Sequence, residues 1–204
     1  GQSQPADIEG EVRVGAPPPT IAILPTRVDG DFTNSAQIAQ NIFEILHQDL
    51  TWSLAFNVFD DRPQVERLLA EDRRSGAVDY AAWGNIGVHY LVETAVRSQS
   101  PDTLEVDLLL HDIRDQRVTV GKQTKDFQRS QLRQVVHRYG DLVVHRCTCR
   151  KGIAQTKIAF VNNQPTKRIK EIFMIDYDGW KDSLVEVTNH GSITLFPSWS
   201  PDRK

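Results

Sequence analysis

The side chains best suited to chemistry cluster in the second half of the chain, where His145, Cys147 and Cys149 fall within five residues and His137 lies two helical turns upstream of His145. Imidazole and thiolate are natural zinc ligands, and on a continuous helix His145 and Cys149 would share a face. A C-x-C pair departs from the C-x₂₋₄-C spacing of structural zinc sites, and a fourth ligand would have to come from elsewhere. The same residues contain the parts of a thiolate nucleophile, since a neighbouring histidine can activate a cysteine. Neither an orienting residue nor an oxyanion hole is evident in the sequence. Helix-end packing and exposed sulfur therefore account for the cluster better than metal binding or catalysis, and no metal, cofactor or catalytic residue is assigned. One residue separates the two cysteines, so a bond between them could not tie distant parts of the chain together and would be awkward on a helix.

Acid-base chemistry would need carboxylates that converge across a pocket. The pairs Asp60 with Asp61 and Asp112 with Asp115 lie in polar, turn-like segments, where capping and solvation are the ordinary use of aspartate. Asp176 and Asp178 lack the longer oxygen-ligand pattern of a calcium loop and fit a turn between strands. The sequence contains no G-x-x-x-x-G-K-[ST], G-x-G-x-x-G or H-E-x-x-H, which leaves nucleotide and zinc-protease chemistry without a motif. These readings point away from an enzyme.

Binding classes are narrowed by charge. The 204 residues hold 24 Lys and Arg against 27 Asp and Glu, a net charge of −3 that offers no broad grip on nucleic acid or anionic lipid. The densest basic run, Lys167, Arg168 and Lys170, reads as a solvated turn between strands. No run approaches the ~20 apolar residues that would cross a bilayer, so membrane insertion is not expected.

The elements that must position these residues can be read from periodicity. Residues 1–19 are rich in Gln, Pro and Gly and carry a three-proline run, Pro17–Pro19, so they are expected to form a flexible arm. Within it only Glu11-Val12-Arg13-Val14 alternates like a short strand. Ile21–Leu24 reads as a strand, and residues 35–48 as an amphipathic helix with Ile38, Ile42, Ile45 and Leu46 inward and Asn34 with Gln37 as a capping box. Leu54–Phe59 is a strand candidate, and Val65–Arg74 a short helix that buries Val65, Leu68 and Leu69. Further helical turns over Asp79–Ile86 precede a strand from Tyr90 to Val96.

The clearest period-two signal is Leu104, Val106, Leu108 and Leu110 alternating with Thr103, Glu105 and Asp107; with Val118 and Val120 it predicts an antiparallel hairpin. A long helix follows, with Leu132, Val135, Val136, Tyr139, Leu142 and Val143 inward. Three short strands, 157–161, 171–177 and 183–188, then succeed one another with compact turns, as in one propeller blade. The expected fold class is thus α/β with a mixed sheet over residues 20–150, followed over 151–204 by all-β strands that do not complete a fold.

Specific words sharpen this organisation. Lys151-Gly152-Ile153-Ala154-Gln155-Thr156-Lys157-Ile158-Ala159-Phe160-Val161, then Asp176-Tyr177-Asp178-Gly179 and Ser198-Trp199-Ser200-Pro201-Asp202, resemble the TolB family, periplasmic propeller proteins of the Tol-Pal envelope system. Earlier in the chain, Ile21–Pro25, Asp79-Tyr80-Ala81-Ala82-Trp83, Gly87-Val88 and Tyr90-Leu91-Val92 match in the same order. The resemblance implies an amino-terminal α/β domain similar in topology to anticodon-binding domains, with residues 151–204 as the start of a six-bladed propeller. It implies a non-enzymatic, periplasmic protein-binding adaptor with no cofactor. Its expected partners are the peptidoglycan-associated lipoprotein Pal, through the full propeller, and TolA, through an arm to which Glu11, Val12, Arg13 and Val14 would correspond. Arg203 and Lys204 stand where the family usually continues with Gly. An independent assembly module pairing through open strand edges is the first alternative, and an enzyme using the His-Cys cluster is the second. Trp199 is expected to pack as an apolar anchor in a complete propeller, with an exposed, adhesive position in an open one as the alternative.

Overall fold

The computed structural model describes residues 17–164 and 169–200. The arm residues Glu11–Val14, the basic residues Lys167 and Arg168, and Pro201–Lys204 lie outside the described residues.

Six strands and four helices build the first body among the described residues: β1 (Thr20–Ile23), β2 (Arg27–Val28), α1 (Ser35–Trp52), β3 (Asn57–Val58), α2 (Arg62–Ser75), α3 (Tyr80–Asn85), β4 (Tyr90–Ser100), β5 (Thr103–Asp112), β6 (Arg117–Gln128) and α4 (Leu132–Thr148). Their six strands form one mixed sheet in the order β3-β1-β4-β5-β6, with β2 pairing β4 beyond the end of β1. β1 runs parallel to β3 and β4, whereas β4, β5 and β6 form an antiparallel meander. The sheet divides its side chains by parity. Ile21 and Ile23 of β1, Val92 and Val96 of β4, and the Leu104–Leu110 stripe of β5 meet the apolar faces of α1 and α4. Ala22, Leu24, Leu91 and Ile113 meet Val65, Leu68 and Trp83 from the α2–α3 side. Helices on both faces explain why β1 is buried on both sides rather than alternating.

Local chemistry sets several boundaries. Asp61 caps α2 by accepting from Gln64 N at 3.2 Å, with Pro63 in the first turn, and Gly76 ends the helix at φ 79°. Asp79 caps α3 through Ala82 N at 3.0 Å. The buried Asp72 accepts from Asp79 N and Trp83 Nε1, both at 2.8 Å, locking α2 to α3.

The structure corrects several expectations. Asn34 adopts left-handed φ 61° and makes no side-chain cap bond, while Gln37 donates to Asn41 instead, so the capping box is not formed. A short polar side chain tolerates this conformation, which turns its amide away from the helix amides. The Leu54–Phe59 strand shrinks to two residues because Leu54 takes φ 54° in a turn and is 83% exposed. Glu105, expected on the solvent side of β5, is buried on the second face of the sheet. It accepts from Gln99 and pairs with Arg97 at 3.3 Å. On α4, His137 and Gly140 join the buried stripe and Leu142 is only partly buried, because α4 packs against α1 as well as the sheet.

After α4 comes a second sheet of β7 (Lys157–Gln164), β8 (Ile169–Asp176) and β9 (Val185–Glu186), antiparallel throughout. The expected strand over 183–188 is thus confined to two residues, because a 3-10 turn at Lys181–Ser183 uses the preceding backbone. Glu171, fully buried, accepts from Thr188 Oγ1 and from Gly191 N at 2.8 Å, drawing the chain after β9 back over β8.

Candidate protein-interaction site

The two sheets are joined by a buried polar junction, and its geometry starts with a missing side chain. Gly140 sits inside α4, where a glycine weakens the helix. A Cβ there would lie 2.8 Å from Asp49 Oδ2 and 2.9 Å from Asp49 Cβ, so only glycine lets α1 bring Asp49 this close. Asp49 is buried with both carboxylate oxygens in use. His137 Nδ1, one turn before Gly140, lies 3.0 and 2.9 Å from Oδ1 and Oδ2. The Tyr177 hydroxyl, just past β8, donates to Oδ1. Burial first, and then this bond to the Asp49 carboxylate, push the Tyr177 phenol far above its ordinary range.

A second layer surrounds that carboxylate. Arg133 donates to Asp178 and lies over the Trp180 ring, 4.5 Å from its centroid, a cation–π contact. His137 Nε2 is 3.6 Å from Asp178 Oδ2, so the imidazole stands between two carboxylates. Trp52 and His137 each meet the Tyr177 ring edge-on, at 5.9 and 5.8 Å. Asp141 supports the linker by accepting from Ala154 N at 2.9 Å and Gln155 Nε2 at 2.8 Å. At Gly152 a Cβ would collide with the Asp141 carboxylate and approach its Cα to 2.7 Å. The linker therefore depends on a glycine as α4 does.

This junction fixes how the second sheet is presented, and what it presents is apolar. Leu184, Val185, Val187, Ile193 and Leu195 are exposed, Phe196 is 89% exposed, and Trp199 is 58% exposed rather than packed as an anchor. Exposed apolar side chains on and after β9, beside a small three-stranded sheet, are chemically suited to contact with further protein.

The residues considered for chemistry are dispersed. His137 belongs to the junction, whereas His145 Nδ1 is 3.3 Å from the Arg150 carbonyl at the far end of α4. Cys147 is half-buried against the core, and burial, reinforced by Asp112, pushes its thiol up to about 12. Such a thiol carries almost no nucleophilic thiolate at neutral pH. Cys149 is free and exposed at the left-handed end of the helix, φ 58°. Among the described residues no three His, Cys, Asp or Glu side chains could hold a metal ion, and no helix is long and apolar enough to cross a membrane. The carboxylate pairs serve local structure. Asp60 pairs with His47 at 2.8 Å, Asp61 caps α2, Asp112 accepts from Asp115 N, and Asp176 accepts from Lys157.

Sequence reasoning missed Asp49 and Arg133 altogether and weighed His137 only as a metal ligand. One signal was available: a glycine in the middle of an apolar helix implies a close approach by something else.

A family model for the TolB amino-terminal domain matches residues 11–119, just over half of the chain. Among curated proteins named Tol-Pal system protein TolB, that of Syntrophotalea carbinolica is 27% identical over 197 residues, 96% of this chain and 44% of the relative. That of Geobacter sulfurreducens is 29% identical over 169 residues, 83% of this chain and 37% of the relative. The crystal structure of TolB from Acinetobacter baumannii superposes with a TM-score of 0.71 at 22% identity, covering 92% of this chain and 42% of that one, which establishes a shared fold. The chain spans less than half the length of these relatives. Its α/β sheet with helices on both faces precedes three antiparallel strands, and the chain belongs to the TolB amino-terminal-domain family.

Proposed function

We propose that the chain acts as a non-enzymatic, periplasmic protein-binding adaptor of the Tol-Pal cell-envelope system. The observation that carries this reading is the polar junction, which seats an apolar, open-edged sheet on a TolB amino-terminal domain in one orientation. The work of such a protein is reversible recognition, with the α/β body setting orientation and the sheet after it beginning a propeller. We take residues 1–19 as the arm, 20–150 as the α/β domain and 151–204 as the start of the propeller. Pal is the proposed partner of the complete propeller, and TolA that of the arm through Glu11, Val12, Arg13 and Val14. The family match begins at Glu11, so Glu11–Val14 fall within the matched stretch.

Calorimetric titration tests this. This chain, and a form extended through the remaining blades, are titrated with the cognate Pal and with the carboxy-terminal domain of TolA. Pal binding by the extended form alone, with TolA binding by both, is expected. If neither form binds either folded partner, the assignment is refuted. The exposed edges of β7 and β9 favour a second reading, self-association through strand pairing. Sedimentation that shifts with concentration in this chain, and not in the extended form, would favour it.

A further inference from the structure

We propose that a basin beside the free edge of β6 docks an extended, acidic segment of a partner protein. The basin, about 940 Å³, lies where β6, α4 and the linker before β7 meet, with Tyr139 in its wall. Lys122 comes from β6, Arg138 from α4 and Lys151 from the linker. All three are exposed, and none is in an ion pair with another described residue. The carboxylate in the lining, Asp141, is occupied by Ala154 N and Gln155. Asp141 keeps its negative charge, so three cations against one carboxylate leave a net excess of two positive charges in the lining of a chain whose net charge is −3.

The second observation is the strand edge. β6 is last in the sheet order, so among the described residues its outer backbone groups have no strand beside them. Register shifts occur on both sides of the run pairing Leu110 with Val120 through Val106 with Thr124, leaving five consecutive pairs in regular register. A regular edge of that length accepts a short added strand, whose main-chain bonds give affinity while flanking charges select sequence. A lysine on an edge strand also discourages aggregation, which accounts for Lys122 alone. It does not account for Arg138 and Lys151, which come from other elements and line the same basin. The strand edge favours polypeptide over nucleic acid or lipid, which can accept from backbone N–H groups but cannot match alternating donors and acceptors in strand register. This inference is independent of the Tol-Pal assignment and survives its failure.

The test uses a fluorescein-labelled octapeptide of alternating Glu and Thr, with anisotropy read against the whole chain at low and moderate salt. Binding is expected to weaken at least tenfold in K122E/R138E/K151E at unchanged Tm, and about threefold in K151E alone should the triple variant fold poorly. The proposal is overturned if a Gln-for-Glu peptide binds as tightly. The same holds if a peptide N-methylated at alternate residues binds as tightly, if the variants keep full affinity, or if phosphatidylglycerol vesicles bind the chain in preference to the peptide.

Discussion

Replacing Asp49 with Ala tests the junction most directly. The substitution removes the acceptor shared by His137 and Tyr177, both of which remain buried. Each orphaned buried donor costs about 1–3 kcal/mol, so a loss of about 3 kcal/mol is expected, with some relief if water enters. For a chain of this size, that is a fall in Tm of roughly 6–12 °C. Tyr177→Phe removes one donor and leaves the Asp49–His137 pair intact, so about 1 kcal/mol is expected from it. The double variant separates the pair from its surroundings: with the acceptor gone, removal of the hydroxyl should cost little, giving a coupling of about 1–2 kcal/mol. The assay is urea unfolding followed by far-ultraviolet circular dichroism for the whole chain and by tryptophan fluorescence, to which Trp52 and Trp180 at the junction contribute alongside Trp83 and Trp199. In D49A the fluorescence transition should move to lower urea than the dichroism transition as the second sheet loosens first. Additivity within about 0.5 kcal/mol, or a single unshifted transition, would refute the assignment of Asp49 as the tie between the sheets.

Three further outcomes follow from the same geometry. Gly152→Ala forces a methyl into the Asp141 carboxylate and should cost about 1–3 kcal/mol, read as faster proteolytic cleavage between α4 and β7 than in the parent chain. Cys149 should react with a disulfide reagent at pH 8 at least a hundredfold faster than Cys147, whose thiol is pushed up to about 12; mass spectrometry of partly labelled chain checks the order. Because the Tyr177 phenol is raised in the folded state, its contribution is intact below the ordinary tyrosine value of about 10 and declines as pH rises above it. Urea midpoints should therefore drop more steeply above pH 10 in the parent chain than in Tyr177→Phe.

Much of the fold was legible because its signals are local. The Leu104–Leu110 alternation located β5, and the Leu132–Val143 stripe located α4, since each periodicity reports one buried face. The strand candidate at Leu54–Phe59 was too generous because local composition does not reveal that Leu54 adopts a positive φ. The junction was not legible for a different reason. His137 and Tyr177 lie 88 and 128 positions from Asp49, and no periodicity links the three. Glu105 shows the same limit: an acidic residue in a period-two pattern reads as solvent-facing until Arg97 and Gln99 are seen to cover it.

Those separations also set an order of assembly. The β4–β5–β6 meander closes over short loops and meets its partners early, whereas Thr20 must find His89 across 69 residues before β1 can enter the sheet. Asp49 and His137 come together once α4 exists, yet the third member of the triad lies 128 residues beyond Asp49. On a chain emerging amino terminus first, the α/β body forms with an acceptor already buried and waiting. Capture of Tyr177 is then the closing event, so the junction acts as a checkpoint at which a finished first body receives the strands that follow it.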